Sequence, residues 1–273
     1  MPEYRSLHIT TADHVTEVVL QGPGKGNALG PDFWREMPEL FAALDRDGGT
    51  RAIIISGSND TFTYGLDIPG MRGQLKYALE GHNLAAERTE FLDQLSTLQR
   101  AMISVLHCRK PIIAAVAGWC VGAGVDLVCA ADVRLCSSDA KFSVRAVRVG
   151  IVEDVGSLQL LPQIVGEGMA RELALTGKDI DASTAHAIHL VNHIYQTPAA
   201  LLDEARTMAR QMAANPPLVV QGVKRVMNER AHRGLDDSLH YTALWNAAFM
   251  QSHDFAEAIR AFAEKRTPHF EGR

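Results

Sequence analysis

The stretch Gly122-Ala123-Gly124-Val125-Asp126-Leu127, read with Val149-Gly150-Ile151-Val152-Glu153-Asp154-Val155-Gly156 downstream, decides how this chain is understood. The first segment sets small residues where a backbone must come close to something, then adds an acid. The second supplies an acidic pair in apolar surroundings. Peptide N–H groups at a glycine-rich helix start can hold a developing oxyanion, and nearby carboxyls can move protons. Just upstream, residues 111–117 form a buried strand that ends at Gly118, and α/β proteins place ligands beyond such strand ends. A second glycine turn, Thr63-Tyr64-Gly65-Leu66-Asp67, follows the buried strand 51–56 with its Ile53-Ile54-Ile55 run. Two such turns can converge two N–H groups on one oxygen.

Each feature has a structural alternative. Gly122 to Leu127 also suits close helix packing, and Asp126 suits the dipole of a first helical turn. Asp154 suits the cap of a helix starting near Ser157; in an apolar pocket its pKa would instead rise, as a proton carrier near neutral pH requires. His107-Cys108 lacks a local acid to orient the histidine, which argues against covalent catalysis. The 11 histidines are scattered without zinc-type spacing. Gly22-Pro23-Gly24-Lys25-Gly26-Asn27 matches neither a P-loop nor a dinucleotide fingerprint.

Further outward, residues 7–10 and 15–20 read as strands around the turn Ala12-Asp13-His14. Pro31-Asp32 opens an amphipathic helix to about Leu44, closed by Asp47-Gly48-Gly49. Residues 85–107 and 123–130 are predicted helices, and residues 133–136 and 142–144 short strands. From Ser157 the chain reads as almost wholly helical. Strands alternating with helices, then helices only, predict an α/β core with a helical tail. The composition shifts most at Pro198-Ala199, giving an expected core at 1–198 and a C-terminal helical region at 199–273.

The chain has 273 residues, 47% hydrophobic and 22% charged, enough for a sizeable core. Its net charge of −5 argues against a general nucleic-acid binder. No apolar run is long enough to span a membrane, and the first residues carry no secretory pattern. The 4 cysteines show no metal-type pairing, and Cys120 and Cys129 sit in apolar sequence typical of buried thiols. A reduced, cytoplasmic protein is expected.

With these residues in place, the chain resembles the crotonase (enoyl-CoA hydratase/isomerase) superfamily over essentially its whole length. The markers are Asn27-Ala28-Leu29, Tyr64-Gly65-Leu66-Asp67, Lys110-Pro111-Ile112-Ile113-Ala114-Ala115-Val116, Gly122 to Leu127, and Glu264-Lys265-Arg266. Within that superfamily it most resembles the Δ3,5-Δ2,4-dienoyl-CoA isomerases. The strings carrying this are Phe33-Trp34-Arg35-Glu36-Met37, Pro217 to Gly222, Asp237-Ser238-Leu239-His240-Tyr241 and Leu244-Trp245-Asn246. Asp126 and Asp154 follow that branch too, where ordinary hydratases usually carry Glu and Gly.

The resemblance implies an α/β fold, a spiral of ββα turns whose C-terminal helices pack subunits into homotrimers or dimers of trimers. It implies an oxyanion hole from the N–H groups of Leu66 and Ala123 for a thioester oxygen. Asp154 would be the main acid/base group and Asp126 the second. The backbone around Thr63, Gly65 and Asp67 would hold the adenine end of CoA. Lys265, from the same or a neighbouring subunit, would meet CoA phosphate. Coenzyme A belongs to the substrate, so no separate cofactor is expected. One departure stands out: Ala146 occupies the position of the family's catalytic Glu, with Arg145, Arg148 and Glu153 as nearby substitutes. Double-bond isomerisation of an acyl-CoA is the expected activity. Hydration, thioester hydrolysis and acyl-CoA binding without turnover are the alternatives.

Overall fold

The structure, a computed structural model, describes residues 3–24, 26–74, 85–230 and 252–273. The resemblance strings at residues 237–241 and 244–246 lie outside them. A six-stranded sheet carries the fold, ordered β1-β2-β3-β4-β6-β9, beside a three-stranded sheet, β5-β7-β8. In the larger sheet, β1 (Leu7–Ala12) and β2 (Val15–Leu20) are an antiparallel hairpin turned at Asp13 and His14, both at positive φ. The other strands run parallel: β3 (Ala52–Gly57), β4 (Ile112–Val116), β6 (Val133–Ser137) and β9 (His193–Tyr195). The smaller sheet joins β5 (Trp119–Val121), β7 (Lys141–Ser143) and β8 (Asp179–Asp181).

The apolar runs of β3 and β4 arise because both sheet faces are covered. Ile53, Ile55, Ile112 and Ala114 point into the main core. Ile54, Ile113 and Ala115 point the other way, against a stripe of Leu201, Ala205, Ala209 and Ala213. Each fully buried isoleucine stabilises the fold by about 2 kcal/mol.

Helices α1 (Pro31–Arg46), α2 (Ala85–His107) and α3 (Ala123–Ala130) cover the inner face. Next come α4 (Ser157–Val165), α5 (Glu167–Thr176) and α6 (Ala182–Ala187). Helix α7 (Pro198–Ala213) supplies the alanine stripe, so the expected division near residue 198 falls at the start of a helix that closes the sheet. Helices α8 (Pro217–Arg230) and α9 (His253–Glu264) complete the described chain. The expectation of an almost wholly helical region after Ser157 is corrected by β8 and β9. Three residues each, with Asp179 and Asp181 flanking Ile180, are too short and polar to show as strands in sequence.

Candidate active site

The two glycine turns meet. Gly65 sits at φ +85°, and a Cβ there would stand 2.6 Å from Val121 O and 3.7 Å from Ala123 N. Gly122, at φ +51°, ends β5 and launches α3. Only glycine takes such backbone without strain. Leu66 forms a parallel bridge with Leu29, in which Leu29 N–H donates to Gly65 O (2.8 Å) and Asp67 N–H to Leu29 O (3.1 Å). That pattern leaves the Leu66 N–H on the other side. Ala123 is the first residue of its helix, so its N–H has no intrahelical acceptor. Among the described residues neither N–H finds a partner, and both residues line one cavity of about 240 Å³.

Asn27 fixes this arrangement. Its amide donates to Thr61 O (2.6 Å) and Ser58 O (2.9 Å), and its own carbonyl accepts from Thr63 Oγ1 (2.7 Å). The Asn27-Ala28-Leu29 marker is therefore a staple between the first loop and the second glycine turn. The cavity is walled mainly by apolar side chains, Trp34, Phe91, Leu95, Leu98 and Val149 among them. Trp34 is anchored by its indole N–H, which donates to Leu29 O (3.0 Å). No signal in sequence distinguished these wall residues from ordinary core.

The acids divide. Glu153 and Asp154 both line the cavity. Gln99 of α2 holds the Asp154 backbone, donating to its carbonyl (2.7 Å), and burial raises the Asp154 pKa. The helix cap weighed as the alternative role of Asp154 is made by another residue. Asp126, fully buried and absent from the cavity wall, accepts the Ser157 N–H at the start of α4. Its second oxygen has no hydrogen-bond partner among the described residues. Burial first, then the neighbouring Glu153 carboxyl, pushes the Asp126 pKa up to about 7. Burial also raises Glu153.

The other expected site residues are placed elsewhere. Thr63 is fully buried, its hydroxyl donating to Asn27 O and accepting the Gly65 N–H (3.0 Å). Asp67 is half-buried and accepts the Gly70 N–H (3.0 Å). Lys265 is exposed just beyond α9, away from the cavity wall. Arg145 lines the cavity but pairs with Asp179 (2.5 Å), which Arg148 also approaches (3.9 Å). All 4 cysteines are free and buried, and burial pushes the Cys108 thiol up to about 11, far from a nucleophilic thiolate. Among the described residues no cluster suits a metal, and no helix is long and apolar enough to cross a membrane.

The sequence model of a family described as enoyl-CoA hydratase/isomerase matches residues 10–273. A mitochondrial Δ(3,5)-Δ(2,4)-dienoyl-CoA isomerase of Dictyostelium discoideum is 40% identical over 271 residues, 98% of this chain and 91% of the relative. The Homo sapiens mitochondrial protein of the same name is 37% identical, over 96% of this chain and 80% of its own. A peroxisomal one of Arabidopsis thaliana is 35% identical, over 99% and 98%. Among solved structures, an enoyl-CoA hydratase from Bacillus anthracis superposes with a TM-score of 0.88 at 25% identity, covering 98% of this chain and all of that one.

Proposed function

The chain belongs to the enoyl-CoA hydratase/isomerase family, and we propose that within it the protein converts 3,5-dienoyl-CoA thioesters to their 2,4-dienoyl conjugates. One observation carries this reading: two N–H groups without acceptors among the described residues and two carboxyls open into the same apolar cavity. The thioester oxygen accepts from Leu66 and Ala123, each donor being worth about 3 kcal/mol once negative charge develops there. Asp154, which lines the cavity with its backbone held by Gln99, takes a proton from C2. The C2–H electrons become the C2–C3 double bond, the C3–C4 pair shifts to C4–C5, and the C5–C6 pair accepts a proton at C6. Relatives named dienoyl-CoA isomerases support this choice within the family.

The Thr63 and Asp67 side chains are engaged within their own loop, so we assign CoA contact there to the backbone. The exposed stripe Val219, Val223 and Met227, one helical turn apart on α8, fits a face that packs against another subunit, as the homotrimer or dimer of trimers implied by the resemblance would need. Four free thiols fit a reducing compartment such as the cytoplasm. Enoyl-CoA hydration is the second reading, favoured by two carboxyls on one wall, since water activation and proton delivery use both. A side-by-side ultraviolet assay on a 3,5-dienoyl-CoA and a 2-enoyl-CoA tests the choice. Conjugation of the dienoyl substrate supports isomerisation, and consumption of the enoyl substrate alone replaces it with hydration.

A further inference from the structure

At position 146, where the resemblance implies a catalytic Glu, the cavity wall carries Ala. The chain returns to that place almost at once. Ala146 opens a 3-10 turn, Ala146–Val149, and Ile151 N–H donates to Ala146 O (3.0 Å), folding the following loop back over it. Glu153, seven residues on, accepts the Ala146 N–H on its Oε1 (3.3 Å) and faces the cavity. Beside it lies Asp126, one oxygen tied to Ser157 and the other without a hydrogen-bond partner among the described residues. The two arginines near Ala146 are held by Asp179, so neither takes the vacant role.

We propose that Glu153 is the second proton carrier of this site, filling from its own chain position the space left at Ala146, and that Asp126 positions it by sharing a proton. The proposal rests on the isomerase reading above. Glu153 donates the shared proton to C6 while Asp154 receives the one from C2, and water at the cavity mouth restores both. Asp126 does not touch substrate and acts only through Glu153. The titratable groups facing the pair are Asp154 from the same loop and the Cys120 and Cys129 thiols from β5 and α3. Arg145, the cation on this wall, is engaged by Asp179.

Three variants test this. Glu153→Gln is expected to lower kcat on a 3,5-dienoyl-CoA by about 100-fold, the lower range for a lost general acid, while titration calorimetry with a saturated acyl-CoA shows unchanged binding. The combination Ala146→Glu with Glu153→Ala is expected to recover at least about tenfold over Glu153→Ala alone. Asp126→Asn keeps an acceptor for Ser157 and a donor for Glu153 but cannot carry the shared proton, and should move the fall in kcat from above about pH 7 to lower pH. A Glu153→Gln enzyme within about threefold of wild type overturns the proposal. So does a folded, ligand-binding swap that recovers nothing, or a pH profile unmoved in Asp126→Asn. Wild type inert on the dienoyl substrate defeats the isomerase reading instead. The pair is then judged by infrared titration: a carboxyl titrating near pH 7 that moves lower in Glu153→Gln supports it, and one that stays overturns it.

Discussion

Replacing Gly65 by alanine probes the meeting of the two turns. Alanine at φ +85° costs about 1–2 kcal/mol in backbone strain. The new methyl would stand 2.6 Å from Val121 O, whereas ordinary contact begins at 3.4 Å, so the turns must part by about 0.8 Å. Leu66 N–H is the next group along the chain, and a donor displaced by about 1 Å forfeits roughly 100-fold in rate. We therefore expect Gly65→Ala to lower kcat by about 100-fold, or about 2.7 kcal/mol of transition-state stabilisation. Acyl-CoA affinity should change little, because the oxygen is held strongly only once it carries charge. The strain should lower Tm by about 2–8 °C in a chain of this size. Dienoyl-CoA conjugation followed by ultraviolet absorbance, with calorimetric binding and a thermal melt, measures all three. Retention of kcat within about threefold, in a variant whose Tm has fallen, would refute the assignment of this turn to the thioester oxygen.

Asp154→Asn should reduce dienoyl-CoA turnover by at least about 100-fold while leaving acyl-CoA binding intact, checked by steady-state kinetics and calorimetry. Stability should also depend on pH. Asp126 has a folded pKa of about 7 against 3.8 in the open chain, so the folded protein keeps a proton the unfolded chain has lost. Its contribution therefore falls as pH rises from about 4 to about 7 and then levels off. Asp126→Asn should flatten Tm across that window, as scanning calorimetry would show. Lys224, nearly buried, donates to Asp132 Oδ2 (2.7 Å), which also accepts the Ile112 N–H (2.7 Å). Lys224→Met breaks this pair far from the cavity; a cost of about 2 kcal/mol should lower Tm by about 4–8 °C with kcat unchanged.

Glycine turns and uninterrupted apolar runs were legible because backbone strain and two-sided burial leave direct marks on composition. Helices Ala85–His107 and Ala123–Ala130 lie where the sequence predicts them. Strands β8 and β9 were hidden, since three residues give no period to read. The acids were harder still. In a helix, position tells which way Asp126 faces only once its neighbours are known, and those come from residues 153 and 157. The loop 150–156 has no period at all, so nothing local marks Glu153 as facing the cavity and Asp126 as lying behind it. That Asp126 caps a helix 31 residues away is a tertiary fact.

The hydrogen bond from Ala146 to Glu153 bears on how catalytic competence is inferred across homologues. A column-by-column comparison sees alanine where a proton carrier is expected and scores the site as dead. A comparison made in space finds a carboxyl in the same neighbourhood, reached from seven residues along. In a loop that folds back on itself, which side chain occupies a volume is set by the path of the backbone rather than by a residue's ordinal place in the chain.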